Sequence, residues 1–310
     1  MSFSGSYAKL SSQVRALNCL PITEEEYAHY YEELGGSFIL HPKVLAFFRD
    51  EYGVKAEYHG YVQDGQYAGV APSWGPFIAG ERYALRAHKL TDRVDFGYPL
   101  LYLPIAESFR CSILFRARFL VELQRPQLSG AVYLKSKSMA ILKQIPDALV
   151  TGKREFRMKE RKFANLGGTI KDVQDFSNEE IVDTYRNLFR VRWNHNPHAW
   201  KTMAHTLATL RPFLWGKVLL LSGKPVAIQI NYRAETRRTI CIDYLNGGVD
   251  KTFNGISPGS LLSYINGKLA CEEAKQKGKK LIYSYGKADA EYKDQWCDRI
   301  PRGYTGFWMP

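Results

Sequence analysis

A short loop rich in glycine and serine, Gly255 to Ser260, is the stretch of this sequence best suited to bind a charged ligand. It reads G-I-S-P-G-S and directly precedes a segment with the pattern of a helix. Unpaired backbone N–H groups and the positive end of the helix dipole converge at such a point, which favours a phosphate or pyrophosphate group. Gly255, Ser257, Gly259 and Ser260 are therefore the predicted binding residues, although an ordinary structural turn explains the pattern equally well.

Four side chains able to bind or transfer protons follow the same helix: Tyr285, Asp289, Tyr292 and Lys293. A carboxylate can deprotonate an attacking ammonium group, and a tyrosine hydroxyl can protonate a leaving thiolate, if either lies within hydrogen-bond reach. These four are the predicted catalytic residues. The alternative is that they form surface hydrogen bonds that hold a C-terminal loop in place.

Two other reactive patterns do not hold. Residues 255–259 match the G-x-S-x-G elbow of hydrolases, but that fold places its catalytic histidine downstream, and the last histidine here is His205. His195 and His198 lie close together, yet no cysteine or carboxylate stands beside them at the spacing of metal ligands. The sequence therefore predicts neither a hydrolase nor a metal site.

The helix after the loop is marked at both ends. Ser257 or Ser260 can cap its first turn, because a hydroxyl can accept a bond from an unpaired backbone N–H. Gly278 fits the left-handed residue that follows a helix. An apolar stripe runs between these ends and is formed by Leu261, Ile265 and Leu269. This helix positions the loop.

Strands flank the same helix in sequence. Residues 281–285 read as a short buried strand after a turn. Upstream, residues 217–221, 226–232 and 238–245 alternate with turn signals and predict a three-stranded antiparallel meander. The last strand of the meander leads directly into the loop, so the loop joins two neighbouring strands through the helix.

Helices are predicted before the meander, at residues 153–162, 178–192 and 199–214. The first is amphipathic, because Phe156 and Phe163 share one face of a strongly basic segment. A solvated surface, a phosphate-binding patch and a membrane-surface helix all fit this pattern. The cations of the segment are Lys153, Arg154, Arg157, Lys159, Arg161 and Lys162.

Composition sets broader bounds. The 310 residues are 45% apolar, enough for a sizeable core. The five cysteines are odd in number and show no C-x-x-C pair, which favours reduced thiols. The first twenty residues lack the apolar core of a signal peptide, and no apolar run approaches roughly 18 residues, so we expect a cytoplasmic protein. The net charge of +12 fits nucleic acid, anionic lipid or an acidic substrate.

Three segments, taken in order, resemble successive signatures of the CelD-like or FemAB-like acetyltransferases, a group within the GNAT superfamily. They are residues 219–227 (LLLSGKPVA), 257–262 (SPGSLL) and 283–293 (YSYGKADAEYK). Their order and spacing carry the resemblance, which covers roughly residues 150 to 300.

This resemblance implies an α+β fold, in which a mixed sheet is flanked by helices, built from two GNAT-like halves. The second half would be the better formed, with residues 147–310 as a CelD/FemAB-like domain. Residues 1–146 would be a degenerate first half. An Asp-Gly turn there predicts a hairpin of residues 58–62 and 67–70, which echoes the later meander.

The resemblance also implies a donor site. Strand 238–245 would diverge from its neighbour and expose its backbone to an acyl donor, and the loop 255–260 would receive the donor's pyrophosphate. The usual GNAT loop reads Q/R-x-x-G-x-G/A, and residues 255–260 depart from it. Acyl-CoA and aminoacyl-tRNA therefore both stay open as donors, and no metal is implied.

The whole chain further resembles the macrophage-inducible Mig family of bacterial proteins, which is linked to resistance against cationic antimicrobial peptides. Its overall layout and the basic block KREFRMKERKF carry this likeness. It implies either a cytoplasmic protein or one that is peripherally associated with the inner membrane. We expect an acyl- or aminoacyltransferase acting on an envelope-related amine or hydroxyl. The alternative is a non-catalytic protein that uses its basic surface on anionic lipid or nucleic acid.

Overall fold

The computed structural model describes residues 19–143, 153–253 and 255–305. Its helices are α1 (Glu24–Leu34), α2 (Pro42–Tyr52), α3 (Arg82–Ala87), α4 (Lys153–Asn165), α5 (Asn178–Trp193), α6 (Met203–Thr209) and α7 (Pro258–Lys277). Its strands are β1 (Cys19–Ile22), β2 (Glu57–Gln63), β3 (Gln66–Trp74), β4 (Phe77–Ile78), β5 (Cys111–Ser112), β6 (Ala117–Val121), β7 (Leu128–Ser129), β8 (Val132–Leu142), β9 (Gly168–Asp172), β10 (Leu214–Trp215), β11 (Lys217–Leu221), β12 (Lys224–Glu235), β13 (Thr239–Val249), β14 (Lys280–Lys287) and β15 (Cys297–Thr305). The expected boundary at residue 146, and most of the twenty N-terminal residues, lie outside the described ranges.

A mixed sheet of nine strands dominates the described part of the chain. The strands follow one another in the order β6-β15-β8-β14-β13-β12-β11-β9, and β10 pairs with β12 off this path. β13 and β14 are parallel, whereas their other neighbours pair antiparallel. A parallel pair needs a crossover connection, and α7 supplies it. The α+β fold with a mixed sheet flanked by helices, predicted from the sequence, is confirmed.

The N-terminal part of the chain forms a smaller sheet in the order β1-β2-β3-β4. The Asp-Gly hairpin is confirmed there, as β2 and β3 pair antiparallel. However, β6 and β8 leave this part and join the large sheet, where both pair with β15. The large sheet therefore draws strands from both sides of residue 146, and the division into residues 1–146 and 147–310 stays a prediction.

Helix α7 lies against the large sheet and is covered by the basic helix α4. The Phe156 ring of α4 stacks on Tyr264 with centroids 4.7 Å apart. Phe163 packs into a cluster with Leu261 and Leu262. The apolar face of α4 predicted from the sequence is thus buried against α7. This contact fixes α4 beside the loop that opens α7.

The predicted C-terminal cap of α7 is confirmed, whereas its predicted N-terminal cap is not. Gly278 follows the helix with a left-handed φ of 64°, as predicted. The predicted serine cap is wrong: Ser257 precedes the helix but makes no capping bond through its hydroxyl. Its φ of 51° is left-handed, unlike the extended backbone of an ordinary cap residue. Ser260 lies inside the first turn and does not cap it either.

The meander is confirmed as β11, β12 and β13, each at least as long as predicted. The helix predicted at 199–214 is wrong in extent, since α6 ends at Thr209 and a 3-10 turn spans Arg211–Phe213. Pro212 lacks an N–H and prevents the helix from continuing. The last strand, β15, was not predicted.

Candidate functional site

β13 and β14 pair along only part of their length. They pair in register from Thr239 with Lys280 to Asp243 with Ser284, and there the pairing stops. β13 continues to Val249 alongside β12. A register shift at Leu245, between the pairs Asn231–Tyr244 and Ile230–Asn246, marks a bulge at the same point. Such a bulge bends its strand, and the two strands diverge.

A cleft of about 310 Å³ opens where the strands diverge. We call it the splay cleft. All four predicted binding residues line it, namely Gly255, Ser257, Gly259 and Ser260. Other parts of its wall come from the free end of β13 and from Tyr292 and Trp296, which follow β14. The loop, the diverging strand and the chain after β14 therefore meet at one cavity.

The loop presents backbone rather than side chains to the cleft. Gly255 and Ser257 both have left-handed φ values, 87° and 51°. Because no hydroxyl caps α7, the N–H groups of its first turn have no side-chain cap among the described residues. Gly259 lies so near β13 that a Cβ atom on it would stand 2.9 Å from Val249 Cγ2. Only a glycine lets the helix approach the strand this closely.

Cations surround the loop. The ammonium group of Lys162 on α4 lies against it, 2.9 Å from where a Cβ on Gly255 would stand. Arg192 and Lys251 line the cleft itself. The sequence marked Lys162 only as one member of a basic patch. The fold assigns it a place next to the predicted phosphate loop, because Phe156 and Phe163 fix the rotation of α4.

A ladder of buried amides supports the floor of the cleft. Gln229 Nε2 donates to Ser263 Oγ at 2.8 Å, and Gln229 Oε1 accepts from Asn266 Nδ2 at 2.9 Å. Asn266 Oδ1 in turn accepts from the backbone N–H of Lys217 at 2.9 Å. This chain fixes the orientation of both amides. Ser263 accepts within the ladder and lines the cleft, where its hydroxyl can donate to a ligand.

Two tyrosine hydroxyls lie at the cleft. Burial is the main cause that raises the pKa of Tyr244, the nearby Tyr292 adds to it, and Arg192 opposes it. Tyr244 therefore keeps its proton at neutral pH and can supply that proton to a ligand. Tyr292, a predicted catalytic residue, is 41% exposed and lines the same cavity. Tyr244 was missed because a tyrosine within a buried strand is more often part of the core.

The other predicted catalytic residues lie elsewhere. Tyr285 is buried, with its ring 4.7 Å from that of Tyr283 and its hydroxyl directed at Ser263 O. Lys293 is buried as well, and its Nζ donates to Lys287 O at 2.6 Å and to Asp289 Oδ1 at 3.1 Å. The residues predicted together are thus brought near one another, but among them Tyr292 alone lines the splay cleft.

Asp289 lines a second cavity, of about 570 Å³. We call it the cationic cavity. It lies at the end of β14, where Gly286 with a φ of 73° and a register shift precede Lys287. Its principal side chains are Arg82, Tyr98, Phe119, Lys137, Lys287 and Arg302.

A buried carboxyl lies at the point where β13 and β14 part. Asp243 Oδ1 accepts from Leu100 N at 3.1 Å, whereas Oδ2 has no partner among the described residues. Burial raises its pKa from 3.8 to about 7, against the opposing effect of the Leu100 N–H. The sequence signal was a lone aspartate in the apolar run I-C-I-D-Y, which was overlooked because the strand as a whole read as core.

Features of other site classes are sparse in the part of the chain that the structure describes. It contains no group of three or more histidine, cysteine, aspartate or glutamate residues placed to hold a metal. His195 Nδ1 contacts the carbonyl of Asn196, while His198 lies 3.7 Å from Asp92. No helix of the described residues has the length and apolarity to cross a membrane.

Several solved structures of other proteins are similar to this chain. Among solved structures, FemX is similar at a TM-score of 0.51 and 10% identity, over 92% of this chain and 96% of that one. L-PGS from Bacillus licheniformis matches at a TM-score of 0.45 and 14% identity, over 92% of each chain. A tandem GNAT protein of clavulanic acid biosynthesis matches at 0.40 and 9%, over 95% and 99%. The likeness to FemX supports the fold.

None of the curated proteins compared with the sequence matches it. A family model does match, and it is described as Mig-14. The match runs from residue 41 to residue 304, which takes in both the splay cleft and the cationic cavity. The chain belongs to the Mig-14 family.

Proposed function

We propose that this protein is an acyl- or aminoacyltransferase whose donor binds in the splay cleft. The acceptor would be an envelope-related amine or hydroxyl, and its modification would support bacterial resistance to cationic antimicrobial peptides. Acyl-CoA and aminoacyl-tRNA are the two donor classes that fit, because each joins an acyl group to a phosphate-bearing carrier.

One observation carries the proposal: the parallel strands diverge at Asp243 and Ser284, with an uncapped helix start at the mouth of the gap. Beyond Asp243, the edge of β13 that faces β14 has no strand partner among the described residues. An extended donor chain can bond to this free edge, while its phosphates meet the first N–H groups of α7. A structural turn alone would not require both features at one cavity.

The chemistry follows from the neutral and cationic groups of the cleft. Lys162 and the N–H groups of the loop would hold the donor phosphates. The acceptor nitrogen or oxygen would attack the acyl carbon, and the bond from that carbon to the carrier's sulfur or oxygen would break. The departing group takes up a proton from the hydroxyl of Tyr244 or Tyr292, and the proton that the acceptor loses as the new bond forms restores that hydroxyl. Ser263 can donate to a polar group of the donor.

The remaining predicted catalytic residues take positioning roles in this proposal. Lys293 joins the carbonyl of Lys287 to the carboxylate of Asp289 and so shapes the turn after β14. That turn leads to Tyr292 and Trp296 at the cleft wall. The buried Tyr285 supports the helix backbone at Ser263.

Calorimetry with acetyl-CoA, and separately with a short RNA helix carrying an amide-linked amino acid, tests the proposal. We expect one of the two to bind and coenzyme A without its acyl group to bind more weakly. Deletion of the acyl group leaves the phosphates intact, so this control separates phosphate binding from recognition of the reacting group. Absence of binding heat with both probes at millimolar concentration would contradict the proposed transferase function.

The exposed cations of α4 favour a second candidate function, electrostatic binding to an anionic surface. Arg154, Arg157 and Arg161 are exposed, whereas Phe156 and Phe163 are buried against α7. The helix therefore offers charge rather than an apolar face to a membrane. Flotation with anionic and with neutral liposomes tests this candidate. Reversal of the exposed charges should abolish flotation, and unchanged flotation would exclude α4 as the contact.

A further inference from the structure

The cationic cavity lies at the seam between the N-terminal segment and the large sheet. Arg82 comes from α3, Lys137 from β8, Lys287 from β14 and Arg302 from β15. Four separate elements thus bring a cation to one space. Its volume of about 570 Å³ is that of a site for a single small molecule.

Aromatic rings hold three of these cations, Arg82, Lys287 and Arg302, at the cavity wall. Tyr98 and Phe119 lie with their centroids 5.6 Å apart. Lys287 Nζ lies 3.8 Å from the centre of the Tyr98 ring, and Arg82 Cζ lies 4.3 Å from the same centre. Arg302 Cζ is placed over Phe119 at 4.7 Å. The rings orient the positive groups, and they do not neutralise them.

The positive charge of the cavity has little counter-charge. No carboxylate of residues 19–143, 153–253 or 255–305 forms an ion pair with Arg82, Lys137, Lys287 or Arg302. Asp289, which also lines the cavity, is paired with Lys293 instead. In addition, the Nε atom of Arg302 is buried without a hydrogen-bond partner in the described structure. Like charges gathered around a space repel one another, and a bound anion removes that cost.

We propose that the cationic cavity binds a small phosphate-bearing molecule. Guanidinium groups match the geometry of phosphate oxygens, and two of them face the cavity together with two ammonium groups. Ser136 and Ser138 line the same wall. Ser138 Oγ donates to Lys135 O, and the Ser136 hydroxyl can donate to a further oxygen of the ligand. This site is separate from the splay cleft, where phosphate would meet backbone N–H groups.

Two probes share the chemistry and differ in origin. Glycerol phosphate represents a free organophosphate, and dihexanoyl-phosphatidylglycerol below its micelle concentration represents a lipid headgroup. Glycerol and dihexanoyl-phosphatidylcholine are the matched controls without net negative charge. By calorimetry at low salt, we expect at least one anionic probe to bind and both controls to fail. Which probe binds identifies the source of the phosphate.

Paired variants locate the binding. K137Q/K287Q removes two charges from the cavity and should weaken the probe by about tenfold. K55Q/K224Q removes two exposed charges outside both cavities and should change affinity by less than about twofold. Gly259→Ala, which crowds the splay cleft, should leave probe binding unchanged. K137Q alone, at an exposed position, should still weaken binding if the double variant fails to fold.

Three results would contradict a phosphate site in the cationic cavity. The first is that neither anionic probe binds the wild-type protein. The second is that both double variants weaken binding equally, which would mean that overall charge is responsible, and the third is that Gly259→Ala removes the binding, which would place it in the splay cleft. Weaker probe binding in the K137Q variants alone supports the phosphate site in the cationic cavity. This result is independent of whether a donor binds in the splay cleft.

Discussion

The splay cleft and the cationic cavity are both lined by residues of the chain that follows β14, yet they are otherwise built from different parts of the polypeptide. The cleft offers mainly backbone: a loop with left-handed residues, an uncapped helix start and a strand edge without a partner. The cavity offers side-chain cations, three of which are held on aromatic rings. One site depends on close approach of main chains, and the other on charge.

This difference decides what each site tolerates. Where backbone groups bind, an added methyl group is disruptive, because it blocks approach to N–H groups that no rotamer change can move. Where long cationic side chains bind, one lost charge weakens binding, and its neighbours still hold the anion. The two sites should therefore respond to opposite kinds of substitution, and the following experiments test that expectation.

The largest effect is expected from Gly259→Ala. The new Cβ would stand 2.9 Å from Val249 Cγ2, so that α7 or β13 must shift at the mouth of the splay cleft. Overpacking of this kind costs about 1–3 kcal/mol, which corresponds to roughly a fivefold to 150-fold loss of donor affinity. Calorimetry with the donor identified above measures it.

A second substitution tests whether crowding is the cause. Val249→Ala in the Gly259→Ala background removes the contacting methyl groups and should recover most of the affinity. Gly53→Ala is the control for a general loss of stability, because Gly53 has a left-handed φ of 67° and no atom near its missing Cβ. If the double variant binds as poorly as the single one, close packing of helix and strand is not what the donor requires.

The same difference explains what could be predicted from the sequence. The loop residues 255–260 are contiguous, and the local pattern of glycine, proline and serine before a helix reveals them without a structure. The cations of the cavity come from four distant elements, and β15, which carries Arg302, was not predicted at all. A sequence pattern cannot show that such residues meet, because it carries no information on pairing between distant strands.

Local rules also failed where the backbone is unusual. A serine before a helix normally caps it, but the left-handed Ser257 does not, and the free N–H groups that result make the site more open than predicted. Asp243 was passed over because its strand reads as core, yet burial is the very property that raises the pKa of its carboxyl. Candidate site residues are thus the places where local expectation and tertiary context disagree.

The free energy of unfolding should depend on pH through Asp243, which lies where β13 and β14 diverge. Its folded pKa of about 7 exceeds the ordinary 3.8, so its contribution to stability is fully present at low pH and is lost as the pH rises through about 7. Asp243→Asn does not titrate. As the pH rises from about 4 to 8, the free energy of unfolding of Asp243→Asn should therefore increase by roughly 1–3 kcal/mol relative to that of the wild type.

Urea unfolding across that range measures the difference. Glu81 is a matched control from the start of α3, since burial raises its pKa to about 7 as well. Glu81→Gln should remove a similar part of the pH dependence. Parallel stability curves for wild type and Asp243→Asn would show that the carboxyl stays charged when folded.

The turn that separates the two cavities is held by Lys293. Its buried Nζ donates two hydrogen bonds, which Lys293→Met removes, and we expect a loss of about 1–2 kcal/mol in the free energy of unfolding. The side chain of Asp289 is 63% exposed, so Asp289→Asn should cost less than about 0.5 kcal/mol. Loss of transfer activity in Asp289→Asn at unchanged stability would return Asp289 to a catalytic role.

The smallest effect should come from Lys162, and it tests whether the basic helix serves the cleft. Lys162 is the cation that α4 places against the loop, but it is exposed, so solvent screens its attraction for a phosphate. Lys162→Gln should weaken donor binding by about threefold. Arg154→Gln removes the same charge from an exposed position of the same helix and should have no measurable effect. Equal weakening by both variants would mean that α4 attracts polyanions through its whole face, and the cleft would then depend on backbone groups alone.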